Sequence, residues 1–171
     1  MANATNTWIA RYNEIVPHFH QESDRAAAIL AASFLESALR ERLSEHLVDD
    51  SGTKRLFAAY SPLSTFSAVI DMSFALGLMT RNMKSDLALI KKIRNHFAHH
   101  PEHTSFGSSP VSDWCRGLTT AKGIPIVDGA MWQAEEPREQ FLFSIVHALV
   151  YFDRLVGAAG RRVIPESGPF T

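Results

Sequence analysis

The sequence has very little cysteine. Cys115 stands alone in 171 residues, so no disulfide can form within the chain. That fits a reducing compartment and argues against a small secreted scaffold. A strong excess of charge of either sign is also missing. Seventeen basic and eighteen acidic side chains leave a formal net charge of −1, so no overall basic field exists to hold nucleic acid without a local patch. No apolar run approaches the roughly 20 residues that a membrane helix needs. The start, Met1 to Arg11, lacks a basic segment followed by an apolar one, so no signal peptide is expected. Repeats and low-complexity segments are absent. These absences point to a soluble cytoplasmic protein with no membrane contact.

What is present is ordinary globular composition, 46% apolar and 20% charged. The length suits one well-filled core. The expectation is a single domain over residues 1–171, with its core at about 23–158 and a loose tail at 159–171.

The apolar spacing is helical along most of the chain. Trp8, Ile9, Tyr12, Ile15 and Val16 suggest a short helix stopped by Pro17, with His18-Phe19-His20 as a linker. Ser23-Asp24 is an N-cap signal for a long helix to about Leu47. Ala28, Ala31, Leu35, Leu39 and Leu43 mark its inner face, and Ile29, Ala32 and Phe34 widen it. Its Glu36 and Arg40 are an i,i+4 pair. Asp49-Asp50-Ser51-Gly52 reads as its end, followed by a short helix over 53–60. After Ser61-Pro62, Leu63 to Leu76 reads as helix again. A seam helix of about 82–99 follows. Residues 100–137 then lose apolar periodicity and gain Gly, Pro, Ser and Thr. Asp113, Trp114, Cys115 and Leu118 suggest one short helix there, and Ile124 to Val127 a brief strand with a hairpin at Asp128-Gly129. A last helix is expected at about 137–158. The architecture implied is an all-α antiparallel multi-helix bundle, with one long irregular excursion before the last helix.

The stretch from Lys91 to Pro101 concentrates the chemistry. Met83, Leu87, Ile90, Arg94 and Phe97 form one seam, with Ile93 beside it. Arg94 is the odd member. A guanidinium on an inward position needs an acidic or polar partner, or a ligand. Asp71 and Glu36 are the candidate structural partners. Lys91 and Lys92, with Arg94 and His99, also make the best local basic patch for RNA or DNA, while a solvated face is the plainer alternative. His96, His99, His100 and His103 share helical spacing, but Pro101 interrupts the helix and no cysteine or carboxylate except Glu102 completes a close set. No metal and no cofactor is assigned. Cys115 reads as a packing residue near Trp114.

Several motifs in order carry a family resemblance. They are Arg25-Ala26-Ala27-Ala28-Ile29-Leu30-Ala31-Ala32-Ser33-Phe34-Leu35-Glu36, Pro62-Leu63-Ser64-Thr65-Phe66-Ser67, Phe74-Ala75-Leu76-Gly77-Leu78, and Ile90 through His99. Together, over roughly residues 24–118, they resemble the mannitol operon repressor family. Asp113 to Leu118 is a weaker echo. The resemblance implies an all-helical fold and a bacterial regulatory role. Members of that family lack a recognisable helix-turn-helix, and none is visible here.

A second resemblance lies inside the first. Arg94-Asn95-x-x-x-His99 is similar to the Arg-x4-His motif of HEPN domains, helical bundles that often dimerise and that include metal-independent ribonucleases. By that resemblance His99 would be the acid/base residue, Arg94 the stabiliser of phosphate charge, and Asn95 the polar residue that often follows the arginine. Such chemistry needs a proton acceptor for the 2′-hydroxyl and a cation for the phosphorane. Geometry opposes it within one straight helix, because positions five apart lie about 140° apart around the axis. Convergence requires a frayed end at Ala98-His99, the full reach of Arg94, or a second chain.

Two readings of function follow. The first is a repressor-type regulator acting through protein or nucleic-acid contacts, as a homodimer and without catalysis. The alternative is a toxin- or defence-like endoribonuclease using His99 and Arg94.

Overall fold

The computed structural model describes residues 14, 16–100, 102, 104–125 and 131–155. Among the described residues, beside a helical stretch at 16–20, the fold is carried by α1 (Asp24–Glu45), α2 (Ser51–Arg55), α3 (Phe66–Ala75), α4 (Arg81–His99), α5 (Val111–Arg116) and α6 (Pro137–Leu155). A 3₁₀ turn, Thr119–Lys122, and a two-residue antiparallel ladder, β1 (Ile124–Pro125) with β2 (Met131–Trp132), fill the stretch before α6.

Local chemistry sets the helix starts. The Ser23 hydroxyl accepts from Ala26 N at 3.2 Å, Thr65 does the same for Ala68, and Thr80 for Met83. Each satisfies an amide that has no partner inside its helix. After α3 the chain turns at Gly77, where a φ of 73° suits a residue without a Cβ. α4 stops at His100, the residue before Pro101.

Charged contacts fix helix direction. Asp24 at the start of α1 meets Arg138 at the start of α6 at 2.7 Å, and Arg42 lies 3.7 Å from Asp153 near both C-terminal ends. α1 and α6 therefore run parallel. α4 runs against α1, with Arg25 at the Ala98 carbonyl and Arg94 at Glu36, each at 3.5 Å. It also runs against α3, through Lys84–Asp71 and Lys91–Ser67. In this all-α bundle α4 thus runs antiparallel to both α1 and α3, and it also packs on α5 and α6.

The core joins Ala27, Ala28, Ala31, Leu35 and Leu39 of α1 to Leu87, Ile90, Ile93 and Phe97 of α4 and to the buried run Phe141 to Val146 of α6. The alanines of α1 let these helices approach closely. Burial of each large apolar side chain contributes about 1.5–3 kcal/mol.

Several expectations change. The helix expected to stop at Pro17 is still helical at residues 16–20, and Phe19 packs against the core. Asp50 does not end an element; its carboxylate caps α2, which sits upstream of the helix expected at 53–60. Phe34, expected to widen the inner face of α1, is 45% exposed. The excursion is more ordered than its composition suggests. Phe106, 2% exposed, is centred 4.9 Å from Phe97 and 5.2 Å from Phe141. Asp86, 3% exposed, accepts from the backbone N–H and hydroxyl of Thr119. The helix expected over Trp8 to Tyr12, the turn at Asp128-Gly129 and the tail at 159–171 lie outside the described residues.

Candidate functional site

The singled-out side chains lie on the second half of α4, where it crosses α1 and the start of α3. Arg94 is half-buried, its side chain 26% exposed, and an Nη sits 3.5 Å from Glu36 Oε2. Glu36 is shared. Its Oε1 also accepts from Arg40 Nε at 3.3 Å and Nη2 at 2.9 Å. Arg40 reaches further, donating to the carbonyl of Leu63 at 2.7 Å and to that of Ser64. The loop leading into α3 is therefore tied to α1 through one guanidinium. The Nε of Arg94 is buried without a hydrogen-bond partner.

Of the two carboxylates expected beside Arg94, Glu36 lies there. Asp71 does not; it meets Lys84 at 2.8 Å, because it faces the N-terminal half of α4. The basic patch is largely engaged within the chain. Lys91 donates to the Ser67 hydroxyl, and Lys92 Nζ lies 4.2 Å over the Trp114 ring. Asn95 and His99 are exposed.

α4 is unbroken through His99, so no frayed end turns His99 towards Arg94. Their angular separation stays near 140°. Among the described residues no hydrogen bond or ion pair joins them. The motif that stood out in the sequence is divided between two sides of one helix.

The other histidines form a separate cluster. The His96 and His100 rings stack at 4.2 Å, and His96 meets Trp114 edge-on at 5.4 Å. His100 caps α4, its N–H donating to His96 O at 2.9 Å. Loss of hydration first, and the neighbouring His100 second, hold the His96 pKa below the ordinary histidine value. Among the described residues no three His, Cys, Asp or Glu side chains converge as a metal site would require, and His103 lies outside them. Burial pushes the Cys115 thiol up to about 12, against a smaller opposing effect of Arg116. A thiol so rarely ionised is a poor nucleophile. Among the described residues no helix is long and apolar enough to cross a membrane.

Sequence reasoning missed the reach of Arg40, since its partners are carbonyls. It also missed Arg138, which ties Asp24 to the carbonyls of Phe19 and Glu22. An arginine one residue after Pro137, at a helix start where cations are disfavoured, was the available signal.

Comparison with known proteins agrees with this architecture. A profile of the family described as mannitol repressor matches residues 25–154. A solved structure, the X-ray structure of the MtlR–HPr complex from Escherichia coli, contains a chain of similar fold. The two share 16% identity with a TM-score of 0.64, over 84% of this chain and 98% of that one. No curated protein matches the sequence. With the family profile spanning most of the molecule, from the first turn of α1 to the end of α6, this chain belongs to the mannitol repressor family.

Proposed function

We propose that this repressor-type regulatory protein works by binding another protein, without catalysis, and that its partner is a protein of the HPr kind. The observation that carries the reading is the similarly folded chain solved in complex with HPr. The site geometry supports it from the other side. A nuclease needs His99 and Arg94 on one reacting phosphate, and a continuous α4 holds them about 140° apart. Contact with RNA or DNA through Lys91, Lys92, Arg94 and His99 has less support, because the first three already meet Ser67, Trp114 and Glu36. The regulator acts in the cytoplasm and as a homodimer.

The test is co-purification of the tagged chain with HPr from the same host, beside an RNA-cleavage assay in EDTA. The expected outcome is retention of HPr, with intact RNA for both the wild type and His99→Ala. Cleavage that His99→Ala abolishes in a folded protein would overturn the reading.

A further inference from the structure

The outer face of α1 is built like an inner one. Ala26, Leu30, Ser33, Phe34 and Ser37 follow each other along it, and the first charge is Glu41. A solvated helix face ordinarily carries charges at every turn. Here Leu30 is 50% and Phe34 45% exposed, with the exposed hydroxyls of Ser33 and Ser37 between and beside them. A helix apolar on both sides is normally covered on both.

The order of residues says what fits. A two-fold axis between Ser33 and Phe34, with the helices antiparallel, sets Ser33 against the second copy's Phe34. The same axis sets Leu30 against that copy's Ser37, and Ala26 against its Glu41. Each large apolar side chain meets a small one, so knobs fall into holes on both sides of the axis. Size is thus complementary under one symmetry operation.

We infer that the outer stripe of α1 is the face through which two copies of this chain associate, as an antiparallel α1–α1 pair centred between Ser33 and Phe34. The inference rests on the homodimer reading and adds its surface. From Ala26 to Glu41 the stripe is about 24 Å long at the rise of a helix. Two such faces bury on the order of 1,000 Å² in total, at the lower edge of specific interfaces, so the dimer is reversible and depends on concentration. The association is insensitive to salt, since its centre carries no charge.

Sedimentation of the full chain over a concentration series tests this, for the wild type, Phe34→Glu and Ser33→Lys. Ser33→Lys keeps both apolar side chains and fills the hole at the axis from an exposed position, so it reads the interface without touching the core. The expected result is a wild-type mass rising to twice 19.0 kDa, with both variants held at 19.0 kDa and folded by circular dichroism. A wild type that stays monomeric throughout overturns the homodimer reading itself. A dimer that both variants preserve leaves that reading standing and overturns the assigned surface. Variants that still dimerise but lose HPr would hand the stripe to HPr and equally overturn the inference.

Discussion

Two arginines share Glu36, and they carry unequal weight. Arg94 makes one long contact to it from a half-exposed position, the kind of pair that contributes about 0–1 kcal/mol. Arg40 binds both Glu36 and the carbonyls of Leu63 and Ser64, and its removal leaves those acceptors unsatisfied at about 1–3 kcal/mol. Arg40→Ala is therefore expected to destabilise the chain more than Arg94→Ala in urea unfolding. The reverse order would mean that Arg94 is the structural arginine after all. The i,i+4 pairing of Arg40 with Glu36 was legible, but not its further reach. Arg94 interrupts an apolar seam and so announces itself; Arg40 works on backbone carbonyls, which leave no trace in a side-chain pattern.

His96 supplies a pH dependence with a defined sign. Its pKa is lowered on folding, by lost hydration and then by His100, so the unfolded chain binds the proton more readily. The contribution is complete above the unfolded value of 6.5 and is lost as pH falls through the folded one. Melting temperature is expected to drop between pH 7.5 and 5.5, and His96→Gln to flatten that drop. A dependence left unchanged by His96→Gln would remove His96 as its source.

At the scale of elements, the segment between α4 and α6 hangs on Phe106. Its ring lies between Phe97 of α4 and Phe141 of α6, which brings the chain from the end of one helix to the start of the next. Phe106→Ala is expected to cost about 3–5 kcal/mol in unfolding free energy, as a buried phenylalanine does. A loss below about 1 kcal/mol would show that the segment is merely draped over the bundle. Neither periodicity nor a cap revealed this anchor, since a lone aromatic among Ser, Gly and Pro belongs to no repeating pattern. The long helices were readable because apolar spacing and capping residues agree at Ser23 and Thr80. α2 lies upstream of the 53–60 that the sequence suggests because Asp50, which reads as the end of one helix, caps the start of the next. Phe34 fits the inner face of α1 by composition, yet it lies outside, and spacing alone does not distinguish a wide inner face from two apolar faces.

At the scale of the whole molecule, one helix, α4, orders the rest. It faces α1 and α3 with opposite direction and carries both Arg94 and His99. Family and fold were legible from motifs spread over several helices. The parallel run of α1 and α6 was not, because it depends on the salt bridges Arg138–Asp24 and Arg42–Asp153 between residues more than a hundred positions apart. The most direct test of the account is calorimetric titration of the chain with HPr from the same host. A saturable complex is expected, with an affinity unchanged by His99→Ala, and the absence of binding by the folded wild-type chain would contradict regulation through HPr.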